Sequence, residues 1–319
     1  MNKTIVKNKH SNKYELFDKT HFGIVKGIGI FIVVLVHLTN RYLNFPYLSP
    51  IAGAAVSIFL LCSGYGLSES FKYKGLKNYW SNKLVKIWLP SFIQICLFAV
   101  IGMIGVKAWL MDYPLFLYGW YLQVLFFDYA LFWLVYRFIK NQKMCLIFIF
   151  VISIITFLLL KSQIHAEQLL CFPIGVAVSQ LNLKSKIENM STFKFVTVIA
   201  ILGVIVVGAF LCRNVFEHYI LFNFVWLLFK MFSAILVVLG TYVLRKVIIM
   251  KLFVSIGSIS YSLYLLNNYT LSILDGKEIG LINLSLALVL TVVSAVVYTK
   301  VCDLIFNQYI KLKSKGKKV

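Results

Sequence analysis

Apolar residues in this chain neither alternate nor form narrow amphipathic stripes. They come in long blocks, each close to the ~20 residues a helix needs to cross a bilayer core. Ten such blocks are read, at about 24–40, 50–70, 87–106, 115–136, 144–160, 166–182, 195–212, 219–244, 252–274 and 279–303. The polar stretches between them are too short to fold as a soluble domain, and no internal repeat or low-complexity segment interrupts the pattern. The pattern predicts an all-α, polytopic integral membrane protein of about ten transmembrane helices. A basic tail over 1–20 precedes a ten-helix membrane domain over 21–305, and a second basic tail covers 306–319.

Composition supports this reading. The 319 residues are 61% hydrophobic and 13% charged, with mean hydropathy +0.86, whereas a soluble domain is roughly half apolar and a quarter charged. The net charge of +21 raises nucleic-acid binding, but its placement argues against it. The cations sit in short clusters between apolar blocks, as in cytoplasmic loops beside anionic lipid. Of the 32 Lys and Arg, 25 fall in one alternating set of segments, five in the opposite loops and two within spans. This split puts both termini in the cytoplasm, and an odd number of spans would break it. The polar, basic stretch from Met1 to Lys19 has no small-residue cleavage site after it and reads as an uncleaved tail. The six cysteines include no C-x-x-C pair and read as small core hydrophobes.

Polar groups at membrane depth are costly, so each calls for a reason. His37 lies in the first span, eleven residues after Lys26. Eleven helical residues rise ~16 Å and end ~20° from whole turns, so the two share a face at different depths. Arg41 continues that stripe outward. The stripe suggests a polar channel; a histidine bonded to a neighbouring helix carbonyl is the plainer alternative. Asp128, mid-span with Tyr121 on its face, and Lys230, at similar depth, read first as an ion pair. The alternative is that Asp128 orients His37 or contacts a substrate. Lys83 and Lys86, at i and i+3, could hold a phosphate or simply flank a span on its positive side. In SIFLLCSGYG, Ser63, Tyr65 and the two glycines around Tyr65 read by default as close packing, otherwise as a local break. Tyr261, Tyr264 and Asn268 share one face of the ninth span.

Four segments, in order, carry a family resemblance: FDKTHFGIVKGIGIFIVVLVH, SIFLLCSGYGL, KLVKIWLP and SIGSISYSLYLLN. Together with GWYLQVLFF, which holds Trp120 and Tyr121, they resemble the membrane-bound acyltransferase 3 family, whose members O-acylate extracytoplasmic glycans. The likeness runs from about Phe17 to about Asn268. Lys26 stands where arginine is usual, and Lys83 and Lys86 where the family has an Arg-x-x-Arg, so point-charge rather than bidentate phosphate binding is expected. Asn267 occupies a position where many members have histidine. Some relatives append a hydrolase-like domain; the expectation here is a membrane part that acts alone or with a partner protein.

The resemblance implies a cytoplasmic acyl-CoA donor, acetyl-CoA in the simplest case, and a glycan acceptor outside or on a lipid carrier, with no metal. It implies that Lys26, Lys83 and Lys86 hold the CoA phosphates and that His37 acts as general base or transient acyl carrier. Arg41, Ser63, Tyr65, Trp120, Tyr121, Asp128, Tyr261 and Asn267 are the expected supporting polar groups. The expected location is a bacterial cytoplasmic membrane. The competing reading is a transporter or flippase of polyisoprenoid-linked sugars, using Asp128 and Lys230 at the midplane. Against it, the sequence shows no inverted repeat and no matched pair of broken helices.

Overall fold

The computed structural model describes residues 15–102, 117, 119–216, 218–273, 275 and 280–315, which contain helices and turns but no strand. Lys107, Lys277 and most of the tail 1–20 lie outside the described residues. The main helices are α1 (Lys19–Tyr42), α2 (Ser49–Lys74), α3 (Tyr79–Val100), α4 (Gly119–Phe138), α5 (Gln142–Leu159) and α6 (Cys171–Gln180). They continue with α7 (Thr192–Cys212), α8 (Tyr219–Leu244), α9 (Met250–Ser258), α10 (Ser260–Ser272) and α11 (Leu281–Lys315).

Seven helices, α1, α2, α3, α5, α7, α8 and α11, are long and apolar enough to cross a membrane. α7 buries only Leu202 and exposes Val196, Val204 and Leu211, a surface that requires lipid around it. The chain is therefore an all-α, multi-pass membrane protein. The other three expected spans differ. α4 is long enough but carries Tyr121, Gln123 and Asp128. The sixth reduces to Gln163–Ala166, a turn, and the ten-residue α6. Pro173 explains the interruption, because its ring would clash with the carbonyl four residues earlier in a continuous helix. The ninth breaks at Ile259, where the Ser258 hydroxyl donates to the Ser255 carbonyl and competes with the ladder. Two interrupted spans thus stand where the sequence showed no matched pair of them.

α1 lies at the centre, against α2, α8, α9 and α10. Its start is capped by Asp18, whose carboxylate accepts the His21 N–H at 2.6 Å. Glycines set its closest crossing. A methyl group on Gly27 would fall onto the Phe253 carbonyl of α9, and one on Gly257 onto the Gly23 carbonyl. α2 and α6 cross in the same way, through Gly64 and Gly175. With no hydrophobic force to drive helices together in lipid, such backbone contact is a main source of packing energy.

The stretch just before α1 is packed. Leu16 is buried and its N–H bonds to Glu188 at 2.8 Å, while Glu15 pairs with Lys184 at 2.9 Å. Phe17 has a left-handed backbone, φ 60°, and stacks on Tyr65 with ring centroids 4.5 Å apart.

Candidate active site

Three cavities adjoin one another along one face of α1. The first, about 440 Å³, is lined by Lys26, Lys74, Lys77, Lys83 and Lys86, with no acidic residue among its described walls. The second, about 250 Å³, is a neck that shares Lys26, Ser63, Lys86 and Tyr129 with the first. Tyr121, Tyr261 and Tyr264 form its other side. The third, about 780 Å³, shares Val56 and Tyr264 with the neck and is lined by His37. Lys26 and His37, on one face of one helix, therefore line cavities that follow one another along it.

Local backbone irregularities shape the walls. α3 passes through a π-helical turn over Leu84–Trp88, which includes Lys86 and directly follows Lys83. π-turns widen a helix and recur at functional sites. The Tyr261 hydroxyl donates to the Ile87 carbonyl of that turn at 2.6 Å. The break at Ile259 puts Ser260 and Tyr261 on the neck. The Lys83 ammonium lies over the Tyr129 ring, 3.8 Å from its centroid, and Lys86 over Phe306 at 4.6 Å. Among the described residues none of the five lysines has a carboxylate partner.

His37 Nδ1 is 2.5 Å from Asn267 Oδ1. The Asn267 amide nitrogen donates to the Leu263 and Tyr264 carbonyls at 2.8 and 2.9 Å. Those two bonds fix which end of the amide faces His37. An oxygen there can only accept, so Nδ1 carries a proton, and in the neutral ring Nε2 keeps its lone pair. Asn267 thus holds the imidazole in the tautomer with a basic Nε2.

The other expected site residues divide. Ser63, Tyr121 and Tyr261 line the neck, and Trp120 lines the histidine chamber. Arg41 lines none of the three cavities. It pairs with Asp275 and donates to Asn268 at 3.3 Å, and its guanidinium holds the Asp275 carboxyl below the usual range. Tyr65 supports Phe17 and lines none of the three cavities. The Asp128–Lys230 pair does not form. Lys230 reaches over Gly53, which has no side chain to block it, and pairs with Glu167. Asp128 is fully buried, has no hydrogen-bond partner among the described residues, and neither orients His37 nor lines any of the three cavities.

Glu167, Trp226, Asn40, Lys74 and Lys77 were not singled out by the sequence. Glu167 had a signal: with only 11 acids in the chain, one at the rim of an apolar block called for a partner.

These features define a class, a multi-pass membrane protein with a row of internal cavities that runs from a cationic one to one holding an oriented histidine. A family model described as an acyltransferase domain, acyltransferase 3, matches residues 22–300, from the first turns of α1 into α11. The chain belongs to that family and is a membrane acyltransferase. Neither the curated proteins nor the solved structures yielded a match.

Proposed function

We propose that the protein moves an acyl group, acetyl in the simplest case, from cytoplasmic acyl-CoA to a hydroxyl of an extracytoplasmic or lipid-linked glycan. The observation that carries this reading is the row of three cavities, each sharing wall residues with the next, from the lysine-lined one to that of His37. Lys26, Lys83 and Lys86 hold the CoA phosphates, and the pantetheine arm occupies the neck. His37 Nε2 takes the proton of the acceptor hydroxyl, whose oxygen attacks the thioester carbonyl. The tetrahedral adduct expels the CoA thiolate, which takes the proton back from the imidazolium. Ser63, Tyr121 and Tyr261 confine the thioester, and Asn267 selects the tautomer of the neutral imidazole that presents Nε2 as the base.

The donor site is tested by Lys83→Ala/Lys86→Ala. Losing two charge-assisted phosphate contacts should raise the donor KM about 10-fold or more with little change in kcat. Added salt should weaken donor binding to the wild type in the same direction. An unchanged donor KM in the purified double variant would return both lysines to a flanking role.

The reading also requires the lysine mouth to face the cytoplasm, with ten spans and both termini inside. The 25-to-5 charge split supports this arrangement. Reporter fusions at the C-terminus and at Asn189 should read cytoplasmic, and one at Arg213 external. An external C-terminus would rule it out.

A further inference from the structure

The lysines of the first cavity are not equivalent. Lys26 and Lys86 also line the neck, whereas Lys74 and Lys77 belong to walls that the neck does not share. Lys83 lines the first cavity alone but sits over Tyr129, which lines both.

Lys74 and Lys77 come from one tight turn. Lys74 ends α2, and Gly75, with φ 55°, closes that helix by donating its N–H to the Phe71 carbonyl at 2.9 Å. The Lys77 N–H donates to the Lys74 carbonyl at 3.3 Å, and Asn78, also left-handed, leads into α3. The turn thus brings two cations to one wall of the cavity.

Both lysines are exposed, so a dissolved anion can reach them. Neither forms an ion pair among the described residues. Glu69, the acid nearest in sequence, is engaged by Lys72 at 2.6 Å and by Ser179 at 2.8 Å. Of the 11 Asp and Glu, only Asp112, Glu217 and Glu278 fall outside the described residues. All three belong to the loops that the charge alternation sets opposite the lysine segments, and the stretches 1–14 and 304–319 contain no acid. Gathering five ammonium groups costs Coulomb energy that a bound polyanion offsets.

Coenzyme A carries its phosphates in a fixed order. The pantetheine arm joins the diphosphate, and the diphosphate joins a ribose that carries a separate 3′-phosphate. With the arm in the neck, the diphosphate falls at the neck-side lysines and the 3′-phosphate further out. The latter is a monoester with about 1.5 to 2 negative charges near neutral pH, and it calls for cations of its own.

We propose that Lys74 and Lys77 form a separate subsite for the 3′-phosphate of the CoA donor, while Lys26, Lys83 and Lys86 hold its diphosphate. The inference rests on the proposed acyl-CoA donor and divides its phosphates between two sets of lysines. The turn between α2 and α3 then distinguishes CoA from carriers that lack a 3′-phosphate.

The test is calorimetric titration of the full-length protein in phosphatidylcholine nanodiscs with CoA and with 3′-dephospho-CoA. Salt at about 0.15 M screens charges more than about 8 Å away, so that a shift reports contact. CoA should bind at least about 10-fold more tightly than 3′-dephospho-CoA, as for a charge-assisted contact. In Lys74→Ala/Lys77→Ala the preference should fall to about twofold or less through weaker CoA binding. Its affinity for 3′-dephospho-CoA should stay nearly unchanged, which also reports that the variant is folded. Lys83→Ala/Lys86→Ala should weaken both ligands by a similar factor and keep the preference. In nanodiscs containing phosphatidylglycerol the preference should persist; its disappearance would assign the pair to lipid headgroups and overturn the subsite. Equal wild-type affinity for the two ligands, an intact preference in Lys74→Ala/Lys77→Ala, or equal loss of both ligands in that variant would overturn it as well. Failure of the wild type to bind either ligand would instead overturn the acyl-CoA donor itself.

Discussion

His37→Gln is expected to reduce acyl transfer by at least about 100-fold in a protein that still inserts and folds. Glutamine has a side-chain donor that can satisfy Asn267 Oδ1, the hydrogen-bond partner of His37 among the described residues, which lies at 2.5 Å. A merely structural histidine should therefore be replaced with little loss. An amide does not accept a proton near neutral pH, whereas general-base catalysis contributes roughly 10²–10⁴-fold. Asn267→Ala provides the internal comparison. It leaves the imidazole in place but frees its tautomer, so kcat should fall less than in His37→Gln. The measurement is the initial rate of acyl transfer at saturating donor, with membrane insertion and melting followed in parallel. Substantial transfer by His37→Gln would remove His37 from the chemistry and leave the proposed site without a base.

Gly27→Val should prevent a stable bundle. A Cβ at this position overlaps the Phe253 carbonyl and neighbouring backbone, and no rotamer change can relieve a clash with main chain. Overpacking costs about 1–3 kcal/mol even where side chains can adjust. Here α1 would have to move away from α9, carrying Lys26 and His37 with it. The expected result is aggregation on extraction, or a melting temperature lower by about 5 °C or more. Gly203→Ala is the control, since a Cβ there meets nothing within 4 Å and alanine favours the helix. Equal melting of the two variants would show that the α1–α9 crossing is not tight.

Much of the site was legible because a helix converts spacing into direction. Eleven residues place Lys26 and His37 on one face, and cavities do line that face at both residues. Tyr261 and Tyr264 share a face in the same way and together line the neck. What periodicity could not supply was the partner of any polar group. Asp128 and Lys230 matched in depth, but depth says nothing of which helices touch. Glu167 sits in a turn before α6, 63 residues from Lys230, and reaches it only because Gly53 leaves the space open. Tyr65 was marked by its motif, yet its ring faces the packed N-terminal segment.

By itself the sequence determined that the chain is helical and lives in lipid, because the cost of unpaired backbone in hydrocarbon leaves apolar blocks of this length few other choices. It also determined which face of the first helix is polar and the basic character of the segments around Lys26, Lys83 and Lys86. Only the tertiary structure decided that Asn267 holds His37, that Lys230 answers Glu167, and that three cavities adjoin one another along α1. The physical reason is range. Helix formation and membrane insertion follow from each segment's own composition, while ion pairs and cavities depend on which helix faces meet. Those meetings are set by a few glycine contacts between segments far apart in the chain.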